Sequence, residues 1–172
     1  MRILIANDKF KGSLPAEKAG FHLKNSLETA FPQASFDLCP IADGGEGTAL
    51  AMTTALAGEW TRGTTQDAQG RPLEAPFGWV TSSATAIMEM SAASGLAIVH
   101  DLKLNPLTAS TLGTGILIQS ALAKGARRIL IGIGGSPHQN LASPTLPTQY
   151  LSKFGNHTGI DTNVIKLHLG SI

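Results

Sequence analysis

At 172 residues, 42% of them apolar and 15% charged, the chain has the make-up of one well-buried globular domain, or of one domain with a small appendage. A formal net charge of +1 with scattered Lys and Arg excludes the electrostatic footprint of a nucleic-acid or membrane-surface binder. Cys39 is the only cysteine, so an internal disulfide is impossible and a thiolate metal cluster is disfavoured. No run approaches the ~20 apolar residues that span a bilayer, and the apolar start is too short for a signal peptide. These features together point to a cytoplasmic protein.

Residues 2–6 read as a short buried strand, followed by a polar loop over 7–13. Pro15 suits the first turn of a helix, and Ala16, Ala19, Leu23, Leu27 and Ala30 recur on one face of it. Phe31-Pro32 ends that helix. Residues 35–39 read as a second strand and 46–56 as a second helix, with Gly58 as its C-terminal cap. The pattern is strand–loop–helix twice over, with glycines and acidic residues gathered where each strand gives way to a helix. In open parallel sheets that is the ligand-binding edge.

Beyond residue 58 the chain turns β-rich, with turn signals at Gln69-Gly70-Arg71-Pro72 and Thr81-Ser82-Ser83. Leu73, Ala75, Phe77 and Trp79 alternate with Glu74, Pro76 and Gly78, and Pro76 argues for an edge strand. A helix over 115–123 capped by Gly125 and a buried strand over 128–133 come next. Residues 137–172 are rich in Ser, Thr, Asn and Pro, and read as an irregular or disordered tail whose one clear alternation is Val164, Ile165, Leu167 and Leu169.

Three glycine-rich turns could carry chemistry. In Asp8-Lys9-Phe10-Lys11-Gly12-Ser13, backbone N–H groups at a helix start and the Lys11 charge suit a phosphate or carboxylate; the alternative is a surface loop with solvated lysines. In Asp43-Gly44-Gly45-Glu46-Gly47-Thr48, two carboxylates three apart can hold Mg2+, or one can take a proton from an alcohol; the alternative is an N-cap with Glu46 in the first turn. Three glycines within four positions exceed what capping requires. In the third, Thr108, Ser110, Thr111 and Thr114 surround Gly113 and Gly115, which suits phosphate oxygens or self-capping hydroxyls. Glu89 stands in the apolar run 86–90, either facing solvent by alternation or aimed into a cleft. No G-x-x-x-x-G-K-[ST] is present, and Pro137 breaks the dinucleotide-type start at Gly132-Ile133-Gly134.

Taken in order, these turns resemble the glycerate kinase family that phosphorylates D-glycerate at the 2-position. The resemblance rests on 5–14, on 42–48, on Met88-Glu89-Met90-Ser91-Ala92-Ala93-Ser94-Gly95-Leu96, on 105–108 with Gly113-Thr114-Gly115, and on Ile131-Gly132-Ile133-Gly134-Gly135-Ser136. It covers residues 1–136. It implies an α/β fold, a flavodoxin-like parallel sheet with the beginning of an inserted α/β domain. Residues 1–58 would form the first part of the sheet domain, 59–136 part of the insert and 137–172 a divergent tail. The implied reaction is ATP-dependent phosphorylation of glycerate with Mg2+, a small-molecule substrate and neither nucleic acid nor membrane as partner.

For that reaction Asp8, Lys11, Asp43 and Glu46 are the catalytic candidates: Asp43 or Asp8 as the carboxylate, Lys11 on phosphate, Asp43 and Glu46 toward metal. Gly12, Ser13, Gly44, Gly45, Ser94, Thr111, Gly113, Thr114, Gly134, Gly135 and Ser136 are the candidates for substrate or phosphate binding. Asn7 stands where the family has a proline, which is expected to loosen the first turn. After Ser136 the family pattern stops, so the alternative expectation is a truncated, catalytically inactive fragment that at most binds phosphate or a partner.

Overall fold

The computed structural model describes residues 1–10, 12–101, 109–134, 154–161 and 164–169. The chain divides into two compact units, Met1–Asp43 and Gly44–Ile172. The first is a β–α–β arrangement. Strand β1 (Arg2–Ile5) pairs in parallel with β2 (Ser35–Leu38), and helix α1 (Ala16–Ala30) makes the crossover that parallel pairing requires. The face of α1 turned to the sheet differs from the one expected. Ala19 and Gly20 are buried while Leu23 is exposed, because the helix approaches most closely at Gly20, where a Cβ would stand 2.9 Å from Asn7 Oδ1. With only two strands, β1 is not buried throughout: Ile5 is, but Leu4 remains 64% exposed.

The second unit holds a mixed six-stranded sheet in the order β3-β4-β5-β6-β8-β7. Its strands are β3 (Glu59–Gln66), β4 (Pro72–Val80), β5 (Thr85–Glu89), β6 (Arg128–Gly132), β7 (Phe154–Asp161) and β8 (Val164–Leu169). All neighbours are antiparallel except β5 and β6, which run parallel. Between those two come α3 (Ser91–Ser94) and α4 (Leu112–Ala123), the crossover. Strand alternation sends Ala75, Phe77, Trp79, Ala86, Met88, Ile129 and Ile131 into one core with Leu117, Ile118 and Ala121 of α4. Val80, Ile87 and Leu130 point the other way, against Ala49 and Met52 of α2 (Thr48–Ala55). Helices thus cover both faces, and the α/β class is the one expected from the sequence.

Within the stretch expected to be an irregular or disordered tail, residues 154–161 and 164–169 instead form β7 and β8, antiparallel strands that extend the sheet from β6. Two further local expectations are corrected. Strand β4 lies inside the sheet, not at its edge. Pro76 is tolerated because β5 reaches only Gly78, Trp79 and Val80, leaving Pro76 paired to Arg62 of β3 alone. The second correction concerns the end of α2. Gly58 donates its N–H to Thr53 O (2.8 Å) and Ala57 to Thr54 O (3.1 Å), and the left-handed residue is Ala57 (φ 50°). Glycine is needed one place later because a Cβ on Gly58 would meet Trp79 O at 2.9 Å. Helix α4 closes with the same pair of bonds but with Gly125 in the left-handed position (φ 98°). Ala57→Gly is therefore expected to raise stability by about 0.5–1 kcal/mol, read as a higher urea midpoint at unchanged m.

Between β3 and β4 the turn is built on Asp67, whose buried carboxylate accepts the backbone N–H of Gln69 (2.8 Å) and Arg71 (2.9 Å) and the Arg71 side chain. Arg71 also donates to Asp101 (2.7 Å) and Ile98 O (3.0 Å). Burial pushes the Asp67 carboxyl up, but these donors outweigh it and hold it below its ordinary value. The Arg71 hydrogen bond does the same for Asp101. A carboxylate depressed on folding stabilises above its unfolded pKa, and that stability is lost as pH falls through the folded one. Stability should therefore hold down to about pH 5 and decline below it, and Asp67→Asn should flatten the decline. Urea midpoints across the acid range check this; an equal acid slope in the variant would rule Asp67 out.

Candidate functional site

In the first unit the parallel pairing delivers two loops to the same end of the sheet. The ladder runs on past the strands, with Cys39 N–H donating to Ile5 O (2.8 Å) and Ile41 N–H to Asn7 O (3.0 Å). This carries Asp43 to Lys9. The Lys9 ammonium donates to Asp43 Oδ1 (3.1 Å) and lies 3.5 Å from Asp8 Oδ1, with its side chain only 20% exposed. Burial alone would lower the Lys9 pKa; the hydrogen bond and charge of Asp43, then Asp8, outweigh it and raise it. Lys9 is therefore a firmly charged cation held between two carboxylates.

The two acids are not equivalent. Asp8 Oδ1 also accepts the backbone N–H of Lys9 (2.6 Å) and its side chain is 37% exposed, against 66% for Asp43. Gly12 (φ 73°) and Ser13 lie in an exposed turn closed by the Ser13 N–H on Phe10 O (2.9 Å). Lys11 lies outside the described residues. Asn7 does not loosen the loop. Its carboxamide donates to Ala16 O (2.9 Å) and Asp8 O (3.1 Å), tying the turn to the first residue of α1.

The second unit brings together the 44–48 turn, the end of β6 and the end of β5. Gly134 N–H donates to Gly44 O (2.9 Å). A Cβ on Gly132 would stand 2.6 Å from Gly44 O, and one on Gly134 2.7 Å from Gly45 Cα. The glycines expected to cradle a ligand thus lie backbone to backbone. Gly44 and Gly45 are buried and Glu46 is exposed. Gly47 (φ 97°) turns the chain into α2, whose Ala49 N–H donates to Glu89 Oε1 (2.8 Å); Ser91 Oγ donates to Glu89 Oε2 (3.1 Å). So Glu89 is aimed inward, at a helix start. Thr48 Oγ1, buried beside Gly132, has no hydrogen-bond partner among the described residues.

The remaining candidates are engaged in packing. Ser94 and Thr114 are buried and share a hydroxyl–hydroxyl bond (2.9 Å) between α3 and α4. Gly113 O accepts from Thr65 Oγ1 (2.5 Å), and Thr111 is buried at the start of α4. Ser110 acts as a self-capping hydroxyl, accepting the Leu112 N–H (3.1 Å). Gly135, Ser136 and Thr108 lie outside the described residues.

Among the described residues no three His, Cys, Asp or Glu converge as a metal site. Asp43 and Glu46, the carboxylates expected toward metal, are both exposed. Sequence reasoning passed over Lys9 in favour of Lys11, since both flank Phe10 and the Lys9 contact with Asp43 depends on the fold. It left Glu89 open, although a lone acid in an apolar strand before a serine was the available signal.

The family model described as "Glycerate kinase family" matches residues 3–141. The chain belongs to the glycerate kinase family. It is 44% identical over 136 residues to the glycerate kinase of Bacillus subtilis (strain 168) and 41% identical over 136 residues to the glycerate 2-kinase of Escherichia coli (strain K12). Each match covers 79% of this chain and 36% of the relative, so the chain spans about a third of the length of these relatives. A solved structure from Salmonella typhimurium LT2, of a protein proposed to be glycerate kinase 2, matches with a TM-score of 0.67 and 39% identity. That match covers 79% of this chain and 37% of the other. No helix among the described residues is long and apolar enough to cross a membrane.

Proposed function

We propose that the chain carries part of the machinery for moving a phosphoryl group from ATP to D-glycerate. The observation that carries this reading is Lys9, charged and held against Asp43 and Asp8 at the C-terminal edge of a parallel strand pair. Phosphoryl transfer needs a carboxylate that orients or deprotonates the attacking hydroxyl and cations that offset charge on the phosphoryl oxygens. Asp43 takes the glycerate hydroxyl proton, and Lys9 lies against the phosphate, with Lys11 as a second cation of the same turn. Asp8 holds the loop through the Lys9 N–H. Asp43 and Glu46 are each a carboxylate that would serve Mg2+, which when bound supplies charge neutralisation to the nucleotide phosphates.

The domain organisation we propose takes 1–58 as the first part of a flavodoxin-like domain and 59–136 as part of an inserted one, as the family resemblance implies, with 137–172 as a tail that diverges from the family. A cytoplasmic setting suits a reaction that consumes ATP. A second reading, a non-catalytic chain that binds phosphate or a partner, draws support from Leu4, Leu38 and Ile41, all more than two-fifths exposed on the small unit.

The test is ATP-dependent phosphorylation of D-glycerate by the purified chain with Mg2+, with the position of the product phosphate resolved. Turnover lost on omitting ATP is expected. Phosphate binding by the folded chain without turnover would favour the second reading, and neither binding nor turnover would sink both.

A further inference from the structure

The start of α2 is where a glycine-rich turn ordinarily receives an external anion. Here a side chain of the same chain is already there. Glu89, at the end of β5, places Oε1 on the Ala49 N–H (2.8 Å), one of the free donors of the first helical turn. Its other oxygen is held by Ser91 Oγ (3.1 Å), the first residue of α3. The rest of the turn is fixed from the opposite side, by Gly134 N–H on Gly44 O (2.9 Å). No side chain within α2's own flank does this work: the residue at its N-cap is Gly47, which has no side-chain oxygen to offer.

We propose that Glu89 is a positioning residue: it occupies the anion place at the α2 N-terminus and so holds the 44–48 turn in its shape without any ligand. The consequence for the reaction rests on the function proposed above. The turn that carries Glu46 is set by an internal carboxylate, and a phosphate or glycerate carboxylate binds elsewhere than on the Ala49 N–H.

Amide hydrogen exchange of the 172-residue chain, followed residue by residue without ATP or glycerate, tests this directly. In Glu89→Ala the Ala49 amide should exchange about tenfold faster or more, while Leu130 and Ile131 of β6 keep their protection. Glu89→Gln keeps an acceptor oxygen at the same reach and should stay within about threefold of the parent. Inorganic phosphate added to Glu89→Ala should restore protection at Ala49 and leave the parent unchanged, a rescue that lost packing alone would not permit. Ala49 exchange unaltered in Glu89→Ala overturns the inference. Equal acceleration in the Ala and Gln variants, or acceleration spread evenly over β6, overturns it too, because the effect would then come from charge or global stability. Absence of phosphate rescue does the same for the anion place. None of these readouts needs turnover, so an inactive chain would defeat the proposed reaction and leave this inference standing.

Discussion

On the function proposed above, Asp43→Asn is expected to lower the rate of ATP-dependent D-glycerate phosphorylation by about 10²–10⁴-fold, the range for removal of a general base. The substitution is nearly isosteric, and its Oδ1 can still accept from Lys9, so the contact at 3.1 Å has a surviving counterpart. What is lost is the ability to take a proton, together with the negative charge paired with Lys9. The deficit should appear in kcat, with KM for glycerate changed little. Asp8→Asn is the matched comparison. Its carboxylate is committed to the Lys9 backbone N–H at 2.6 Å, a bond that an amide oxygen also accepts, so the loss of rate should be much smaller. Steady-state kinetics on both variants decide the assignment: full rate in Asp43→Asn with a large loss in Asp8→Asn would hand the role to Asp8.

The largest effect on stability is expected from Gly113→Ala. A Cβ there would overlap the carbonyl oxygen of Gln66, which is backbone and cannot swing aside, and would come into contact with the Thr65 hydroxyl at 3.4 Å. That hydroxyl donates to Gly113 O at 2.5 Å in a buried setting, so relief of the clash would break a buried hydrogen bond. Overpacking and a lost buried bond together should cost about 3 kcal/mol. Gly70→Ala is the control, since Gly70 has φ 88° but nothing within 4 Å of its Cβ position, and should cost about 1–2 kcal/mol from backbone conformation alone. Urea midpoints read both; a Gly113→Ala loss no larger than the Gly70→Ala loss would falsify the steric account.

Much of the fold was legible because alternation is a local signal. Leu73, Ala75, Phe77 and Trp79 announce β4 and its inner face, and Gly125 announces the end of α4, without knowledge of any partner. The misreadings arose where the deciding contact comes from far along the chain. Pro76 implies an open backbone edge, but not that the strand carries a neighbour on both sides elsewhere. Gly58 reads as the cap because helices often close on glycine, while Trp79 O is what requires glycine there and Ala57 takes the left-handed turn. Leu23 obeys helical periodicity but lies on a face that the two-stranded sheet does not reach.

The candidate site was legible to a different degree. Motif order pointed to the turns. Which groups in each turn meet each other, Lys9 with Asp43 and Glu89 with Ala49, depends on the sheet that brings them there. Ser94 and Thr114 show the reverse: residue types suited to phosphate that are joined to each other inside the core.

The backbone contact between Gly44 and Gly134 has a consequence for how the molecule comes into being. The 44–48 turn emerges early in synthesis, yet one of its walls is the end of β6, made much later and itself placed only once α4 has crossed over from β5. Contacts of such long sequence separation form late and slowly. The turn therefore reaches its final shape among the last events of folding, and a lesion anywhere in the intervening chain that keeps β6 from docking would leave the first motifs correctly written but not yet assembled.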